Sequence, residues 1–190
     1  LLNNNGHNVS VWSAFEEEIQ TLLARREHKK RLPGVIIPDG IELTSDINCV
    51  SDSDVVLLCV PSFAIGDICV KLKKHITDNH IVINAGKGLE PTSGKRFSQI
   101  IEELLDIDAA VILSGPTHAE EVARKIPTAV VVSSSDEEKS VFAQGLLMSP
   151  YMRVYVNNDT VGVELCGALK NIIALCSGIC DGMSYGDNTK

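Results

Sequence analysis

The chain has 190 residues, of which 44% are hydrophobic and 22% are charged, a balance typical of globular proteins rather than disordered or collagen-like chains. Its 17 basic and 25 acidic residues give a net charge of -8, which disfavours nucleic acid or an anionic membrane surface as the main partner. We find no apolar run approaching the roughly 20 residues of a membrane span and no signal peptide, so we expect a cytoplasmic protein.

The predicted elements alternate between strands and helices. The first seven residues read as the last turn of a helix that Gly6 ends, which suggests that the chain begins inside an element. Strands are predicted at residues 9–12, 54–60, 81–85, 109–113 and 128–132, and helices at residues 15–30, 63–75, 96–105, 136–148 and 161–179. This order predicts an α/β, Rossmann-like, doubly wound and mainly parallel sheet.

The long last helix differs in character from the segments before it. We therefore predict a dinucleotide-binding domain at residues 1–157 and the start of an all-helical, substrate-binding domain at residues 158–190. In doubly wound sheets, ligands bind beyond the carboxyl ends of the strands, so the loops that start at Ser13, Pro61, Gly86 and Ser114 are the places to search for a site.

One candidate residue is Lys170 on the last helix. At helical spacing it shares a face with three small residues, Gly167, Ala174 and Ser177, and it lies beside an apolar stripe. Partial burial there would lower its pKa toward the range of an acid–base group. The spacing alone is more typical of a surface lysine on an amphipathic helix.

Two loops supply further candidates. Lys87 lies between Gly86 and Gly88 directly after a buried strand, where an ammonium could attract a phosphate or an anionic cofactor, although an ordinary exposed turn accounts for the pattern equally well. After the next strand, the run from Ser114 to Glu121 contains a Gly-Pro turn and a short helix predicted to begin at Thr117, whose free N–H groups could bind an anion. A plain helix cap explains that run too.

Several cofactor and metal patterns are absent from the sequence. No G-x-G-x-x-G follows a strand, and neither a Walker A pattern nor H-E-x-x-H occurs. Cys176 and Cys180 could share a metal on one helix, but no histidine lies nearby, so we predict no metal site. We interpret all six cysteines as reduced, small, buried side chains.

Five segments in register resemble the NAD(P)-dependent glycerol-3-phosphate dehydrogenases. They are Val60-Pro61-Ser62, Lys87-Gly88-Leu89-Glu90, the run from Ser114 to Ala123, Pro127-Thr128-Ala129, and the run from Gly162 to Asn171. The resemblance extends from Asn5 to the end of the chain. It implies that the family's Gly-rich pyrophosphate loop lies upstream of Leu1 and that the second domain is only begun here.

The resemblance also implies roles for individual residues. Lys170 matches the proton donor and acceptor, and Lys87 matches the lysine that contacts both substrate and cofactor. Gly115 and Thr117 match substrate-holding positions, with Thr117 in place of the usual serine, and Ala119 matches a cofactor contact. Ala14 stands where many relatives have an arginine that meets the 2′-phosphate of NADP, so the choice between NAD and NADP stays open.

The implied activity is interconversion of sn-glycerol 3-phosphate and dihydroxyacetone phosphate with NAD or NADP, which supplies glycerol 3-phosphate for phospholipid synthesis. Two alternatives remain: a related Rossmann-type β-hydroxyacid dehydrogenase, and a binding fragment that cannot catalyse the reaction by itself. The sequence leaves open whether the protein forms a homodimer.

Overall fold

The computed structural model describes residues 1–189, which form an α/β fold with helices on both faces of its larger sheet. The strands are β1 (Val9–Trp12), β2 (Ile41–Thr44), β3 (Val55–Leu58), β4 (Ile81–Asn84), β5 (Val111–Ser114), β6 (Thr128–Ser133) and β7 (Met152–Val156). The helices are α1 (Glu16–Arg25), α2 (Ile65–Leu72), α3 (Phe97–Leu105), α4 (Ala119–Ala123), α5 (Glu137–Leu147) and α6 (Thr160–Gly182). Short 3₁₀ turns lie at Asn3–Asn5, Ile47–Asp52 and Ser62–Ala64.

The strands form two hydrogen-bonded sheets within the described residues. β1 and β2 pair in parallel, and the larger sheet has the order β3-β4-β5-β6-β7. Its pairs are parallel except β5 with β6, which is antiparallel. The predicted Rossmann-like, mainly parallel sheet is therefore confirmed, with one reversed strand pair.

Apolar side chains fill both faces of the larger sheet. Successive strand residues point to opposite faces, so Val82 packs against α2 and α3, whereas its neighbour Ile83 packs in the cluster that includes α5. Both side chains are fully buried. Burial on both faces explains why β3, β4 and β5 read as continuous apolar runs rather than as alternating patterns.

The amino-terminal residues are held against this core. Gly6 adopts a left-handed conformation with φ of 91° and ends the first turn by donating its N–H to the Asn3 carbonyl. The Asn5 amide donates to the carbonyls of Leu146 and Met148 at 3.1 Å each, which ties the segment to the end of α5. The predicted left-handed glycine is confirmed, in a 3₁₀ turn rather than an α-helix.

The structure corrects several predicted boundaries. Helix α1 ends at Arg25 and not near Lys30, because Arg26 is left-handed and its guanidinium donates to the Pro38 carbonyl in the following loop and to the Ile41 carbonyl at the start of β2. Helix α4 begins at Ala119 and not at Thr117. Strands β2 and β7 were absent from the prediction.

Helix α6 leaves the sheet and is mostly exposed. By length and composition it is apolar enough to cross a bilayer, so the prediction that the sequence holds no such segment was wrong. The core helix of a water-soluble domain has the same properties. Its exposed apolar side chains are Val161, Leu165, Leu169, Ile172, Ile173, Leu175, Ile179 and Met183 just beyond its end.

Candidate active site

The turn after β4 carries Lys87 in a fixed conformation. Asn84, which is 1% exposed, accepts a hydrogen bond from the Gly86 N–H at 3.0 Å and donates one to the Gly86 carbonyl at 3.1 Å. Gly88 has φ of 130°, a conformation that other residues rarely adopt. The buried amide and the two glycines therefore define the path of the backbone on either side of Lys87.

The turn after β5 brings Thr117 to Lys87. The Lys87 ammonium donates to the Thr117 hydroxyl at 3.2 Å, joining residues 30 positions apart. Gly115 has φ of 132°, and a Cβ there would lie 3.1 Å from the Ala129 carbonyl oxygen on the antiparallel strand β6. The position thus excludes other side chains through both its backbone conformation and its contact with β6.

Helix α6 crosses the same edge of the sheet at a glycine. A Cβ on Gly167 would lie 2.9 Å from the Ser114 hydroxyl and 3.9 Å from Cγ of Lys87, so only glycine permits this approach without a shift. Lys170 follows one turn later and is exposed. The small face that the sequence predicted around Lys170 therefore begins with a close contact to β5.

Electrostatics link the two lysines. Burial lowers the pKa of Lys87 below its ordinary value, and the nearby ammonium of Lys170 lowers that pKa further. Within residues 1–189 neither lysine forms an ion pair with a carboxylate. Two cations held together without a protein counter-ion make a site suited to an anionic ligand.

The other predicted contacts lie apart from this pair. Ala119 is exposed as the first residue of α4, two residues beyond Thr117. Ala14 is exposed after β1, which belongs to the smaller sheet. The structure thus groups Lys87, Thr117 and Lys170, whereas Ala14 lies on a separate strand end.

Sequence reasoning missed two exposed aromatic rings. Phe15 is 70% exposed after β1, and Phe63 is 81% exposed after β3. Side chains this exposed contribute little to the hydrophobic core. Both rings follow the carboxyl ends of strands, where ligands of such sheets bind. A phenylalanine in a loop directly after a strand is the sequence signal that could have drawn attention to them.

A cleft of about 440 Å³ opens on the β6 and β7 side of α6. Its lining includes Ser114, Gly115, Tyr155, Asn157, Asp159 and Cys166, and it contains no lysine or arginine. An anionic substrate would meet the Asp159 carboxylate there without a compensating cation. The lysine pair is therefore the better anion site of the two.

Mainly parallel strands whose carboxyl ends carry glycine turns, exposed aromatic rings and Lys87, with Lys170 on the helix that crosses them, are typical of ligand-binding α/β domains of the Rossmann-like class. Comparison with known proteins gives the family. The family described as NAD-dependent glycerol-3-phosphate dehydrogenase N-terminus matches residues 1–140, and its C-terminus counterpart matches residues 159–190. The chain belongs to the NAD-dependent glycerol-3-phosphate dehydrogenase family.

Individual relatives agree with this assignment. The chain is 45% identical to an NAD(P)+ glycerol-3-phosphate dehydrogenase of Fusobacterium nucleatum, over 100% of this chain and 58% of the relative. The fold matches that of a glycerol-3-phosphate dehydrogenase from Coxiella burnetii with a TM-score of 0.88 and 31% sequence identity, over 98% of this chain and 57% of that one. It also matches a glycerol-3-phosphate dehydrogenase from Plasmodium falciparum with a TM-score of 0.88 and 30% identity, over 100% of this chain and 55% of that one. The chain therefore spans a little over half the length of these relatives.

Proposed function

We propose that the protein interconverts dihydroxyacetone phosphate and sn-glycerol 3-phosphate with NAD or NADP. The observation that carries this proposal is the convergence of Lys87, Thr117 and Lys170 at the carboxyl edge of the sheet, with no carboxylate paired to either lysine in residues 1–189. A phosphorylated ketone offers such a pair both a dianionic group and an oxygen that becomes negative during reduction.

In the direction of reduction, Lys170 would donate a proton to the C2 oxygen of the ketone. A bound NADH or NADPH supplies the hydride that C2 receives, so one hydride and one proton convert the ketone into the secondary alcohol. Lys87 would stabilise the negative charge on the oxygen, and its bond to Thr117 would hold the ammonium in place. In the oxidation of glycerol 3-phosphate, Lys170 would accept the proton.

The residues present suit part of a dinucleotide. Ala14, Lys87 and Ala119 would contact the cofactor, and the exposed rings of Phe15 and Phe63 offer apolar surface after the carboxyl ends of β1 and β3. The 190 residues contain no G-x-G-x-x-G segment to bind the pyrophosphate. We therefore expect a polypeptide of these residues to bind NADH very weakly in a fluorescence titration, and tight binding would contradict this assignment of cofactor contacts.

We also propose that residues 1–157 serve the cofactor and that residues 158–190 begin the substrate-binding domain. The change from an interior sheet to the exposed helix α6 supports this division. We further propose that the protein acts in the cytoplasm, where the reaction would supply glycerol 3-phosphate for phospholipid synthesis. Whether the protein forms a homodimer stays a prediction, which sedimentation equilibrium of the full-length protein would test.

The reaction is tested with Lys170→Ala in the full-length protein. Because a positioned acid contributes about 10²- to 10⁴-fold to a rate, we expect kcat for dihydroxyacetone phosphate reduction to fall by at least that range. The control is Lys71→Ala, which removes an exposed lysine on α2 and should leave kcat unchanged. Near wild-type activity of Lys170→Ala would contradict the proposal, as would faster turnover of a β-hydroxy acid than of glycerol 3-phosphate.

A further inference from the structure

Helix α6 has one buried side chain, and that side chain is charged. Of its 23 residues only Glu164 is buried, with 6% of its surface exposed. The apolar residues of the helix are mostly exposed. A carboxylate is costly to bury unless its oxygens are fully paired, so the contacts of Glu164 show how α6 is held.

Those contacts come from the start of helix α3. The Arg96 guanidinium donates to Oε2 of Glu164 at 2.7 Å, and the Ser98 hydroxyl donates to the same oxygen at 2.5 Å. The backbone N–H of Ser98 donates to Oε1 at 2.9 Å. Because Ser98 is the second residue of α3, the carboxylate also lies at the positive end of that helix. Both oxygens are therefore bonded from fixed directions.

Such a bonded pair fixes geometry better than it adds stability. Buried ion pairs are often no more stabilising than apolar side chains of the same volume, but they can specify register. Here Glu164 lies one turn before Gly167, which contacts Ser114, and Gly167 lies one turn before Lys170. A slip by one residue would move Lys170 by about 1.5 Å and turn it by roughly 100°.

We propose that Glu164 is a positioning residue that, through Arg96 and Ser98, sets the rotation of α6 so that Lys170 faces the Lys87–Thr117 pair. This inference rests on the proposed function, because it concerns the orientation of the proposed proton donor, Lys170. Glu164 itself bonds to α3 and touches neither lysine by a hydrogen bond.

The first test is Glu164→Gln in the full-length protein. Glutamine keeps the size of the side chain and an acceptor for the Ser98 N–H, but it lacks the charge that pairs with Arg96. A displacement of about 1 Å can lower a rate by 10²-fold, so we expect kcat to fall about 10- to 100-fold while KM for NADH stays within about twofold. The matched control is Glu103→Gln, which lies on the same helix α3, breaks the exposed ion pair with Lys95 just before that helix and should leave kcat unchanged.

The decisive test combines two changes. If Glu164 acts through Lys170, adding Glu164→Gln to Lys170→Ala should lower kcat by less than about twofold, because the ammonium that Glu164 positions is already absent. A further 10-fold loss in the double variant would overturn the positioning role and indicate a general structural one. Unchanged kcat in Glu164→Gln alone would overturn it too. Full activity of Lys170→Ala would instead refute the proposed proton donor, and the positioning role with it.

Two variants of Ser98 that perturb the buried pair less test the proposal if Glu164→Gln does not fold. Ser98→Ala removes one donor to Glu164 and keeps the backbone bond, so we expect a smaller loss of kcat, about 3- to 10-fold, with KM for NADH unchanged. Ser98→Thr restores the hydroxyl and should restore kcat. Equal kcat in Ser98→Ala and the wild-type protein would overturn the proposal.

Discussion

The larger sheet and helix α6 are stabilised by different interactions. Strands β4, β5 and β6 contribute Ile83, Val111 and Val132, all fully buried among apolar neighbours. Helix α6 is longer than any strand, yet within the described structure it buries only Glu164. The sheet is thus held by area removed from water, which has no direction, whereas α6 is held by directional polar contacts and by a glycine.

This difference bears on function. Lys87 and Thr117 belong to turns of the rigid sheet, while Lys170 belongs to the helix that only a few contacts fix. Bringing the two regions together requires Gly167, whose position tolerates no Cβ without a shift, and the bonds of Glu164. The apolar side of α6 is exposed in this structure, and the chain spans 58% of the length of its Fusobacterium nucleatum relative.

The largest expected effect contrasts core and helix directly. Ile101→Ala opens a cavity in the core beneath α3 and should lower the free energy of unfolding by about 2–5 kcal/mol. Ile173 lies on α6 and is 68% exposed. Ile173→Ala should therefore change the free energy of unfolding of the 190-residue polypeptide by less than about 0.5 kcal/mol. Urea denaturation measures both. Equal losses would mean that α6 packs as tightly as the sheet.

Next in size is Gly167→Ala in the full-length protein. The added Cβ would stand 2.9 Å from the Ser114 hydroxyl, so either that hydroxyl rotates or α6 shifts, and we expect a shift of α6 to lower kcat about 10- to 100-fold. Gly178→Ala is the matched control on the same helix, because no atom lies within 4 Å of its added Cβ. A normal kcat for Gly167→Ala would show that the Ser114 hydroxyl rotates away while α6 stays in place, or that the helix can shift without loss of function.

A smaller effect is expected from Lys87→Met. Burial and Lys170 lower the pKa of Lys87 in the folded state below its ordinary value of 10.5, so the charged lysine destabilises the fold at neutral pH. Because the lysine is only partly buried, the variant should gain less than about 1 kcal/mol of stability at pH 7. The wild-type protein gains stability as pH rises from the folded pKa toward 10.5, so this advantage should shrink there.

Denaturation of both proteins at pH 7 and pH 10.5 measures that gain, and Lys71→Met serves as the exposed control. An advantage of Lys87→Met that does not depend on pH would indicate better packing of methionine rather than relief of charge. Activity should fall in the same variant. A gain in stability together with a loss of turnover is the result expected for a residue kept for its chemistry.

The smallest effect concerns the cofactor. Ala14 supplies no charge, and the first turn of α1 carries Glu16, Glu17 and Glu18. Ala14→Arg adds a guanidinium for the 2′-phosphate, worth about 0.5 kcal/mol at an exposed site, so KM for NADPH should fall about twofold and KM for NADH should not change. Thr21→Arg, further along α1, is the control. An equal effect of both variants would point to net charge and not to contact.

Some missing elements had signals in the sequence. Strand β7 alternates buried and exposed residues from Met152 to Val156, a period-two pattern that predicts a half-buried strand. The reversal of β6 also had a local cause, because between β5 and β6 the chain forms only the five-residue helix α4, and a parallel crossover usually needs a longer helix. Both features are therefore encoded in local patterns of the sequence.

The sequence by itself determined the buried strands, the glycine turns and the segments that carry Lys87, Thr117 and Lys170, because burial on both faces and left-handed turns leave local patterns. The tertiary structure alone decided that Lys87 bonds to Thr117, that Glu164 is buried against α3 and that Lys170 is exposed. Those facts depend on contacts between residues 30 or more positions apart. Helical spacing gives the face on which a side chain lies, but only packing decides what that face meets.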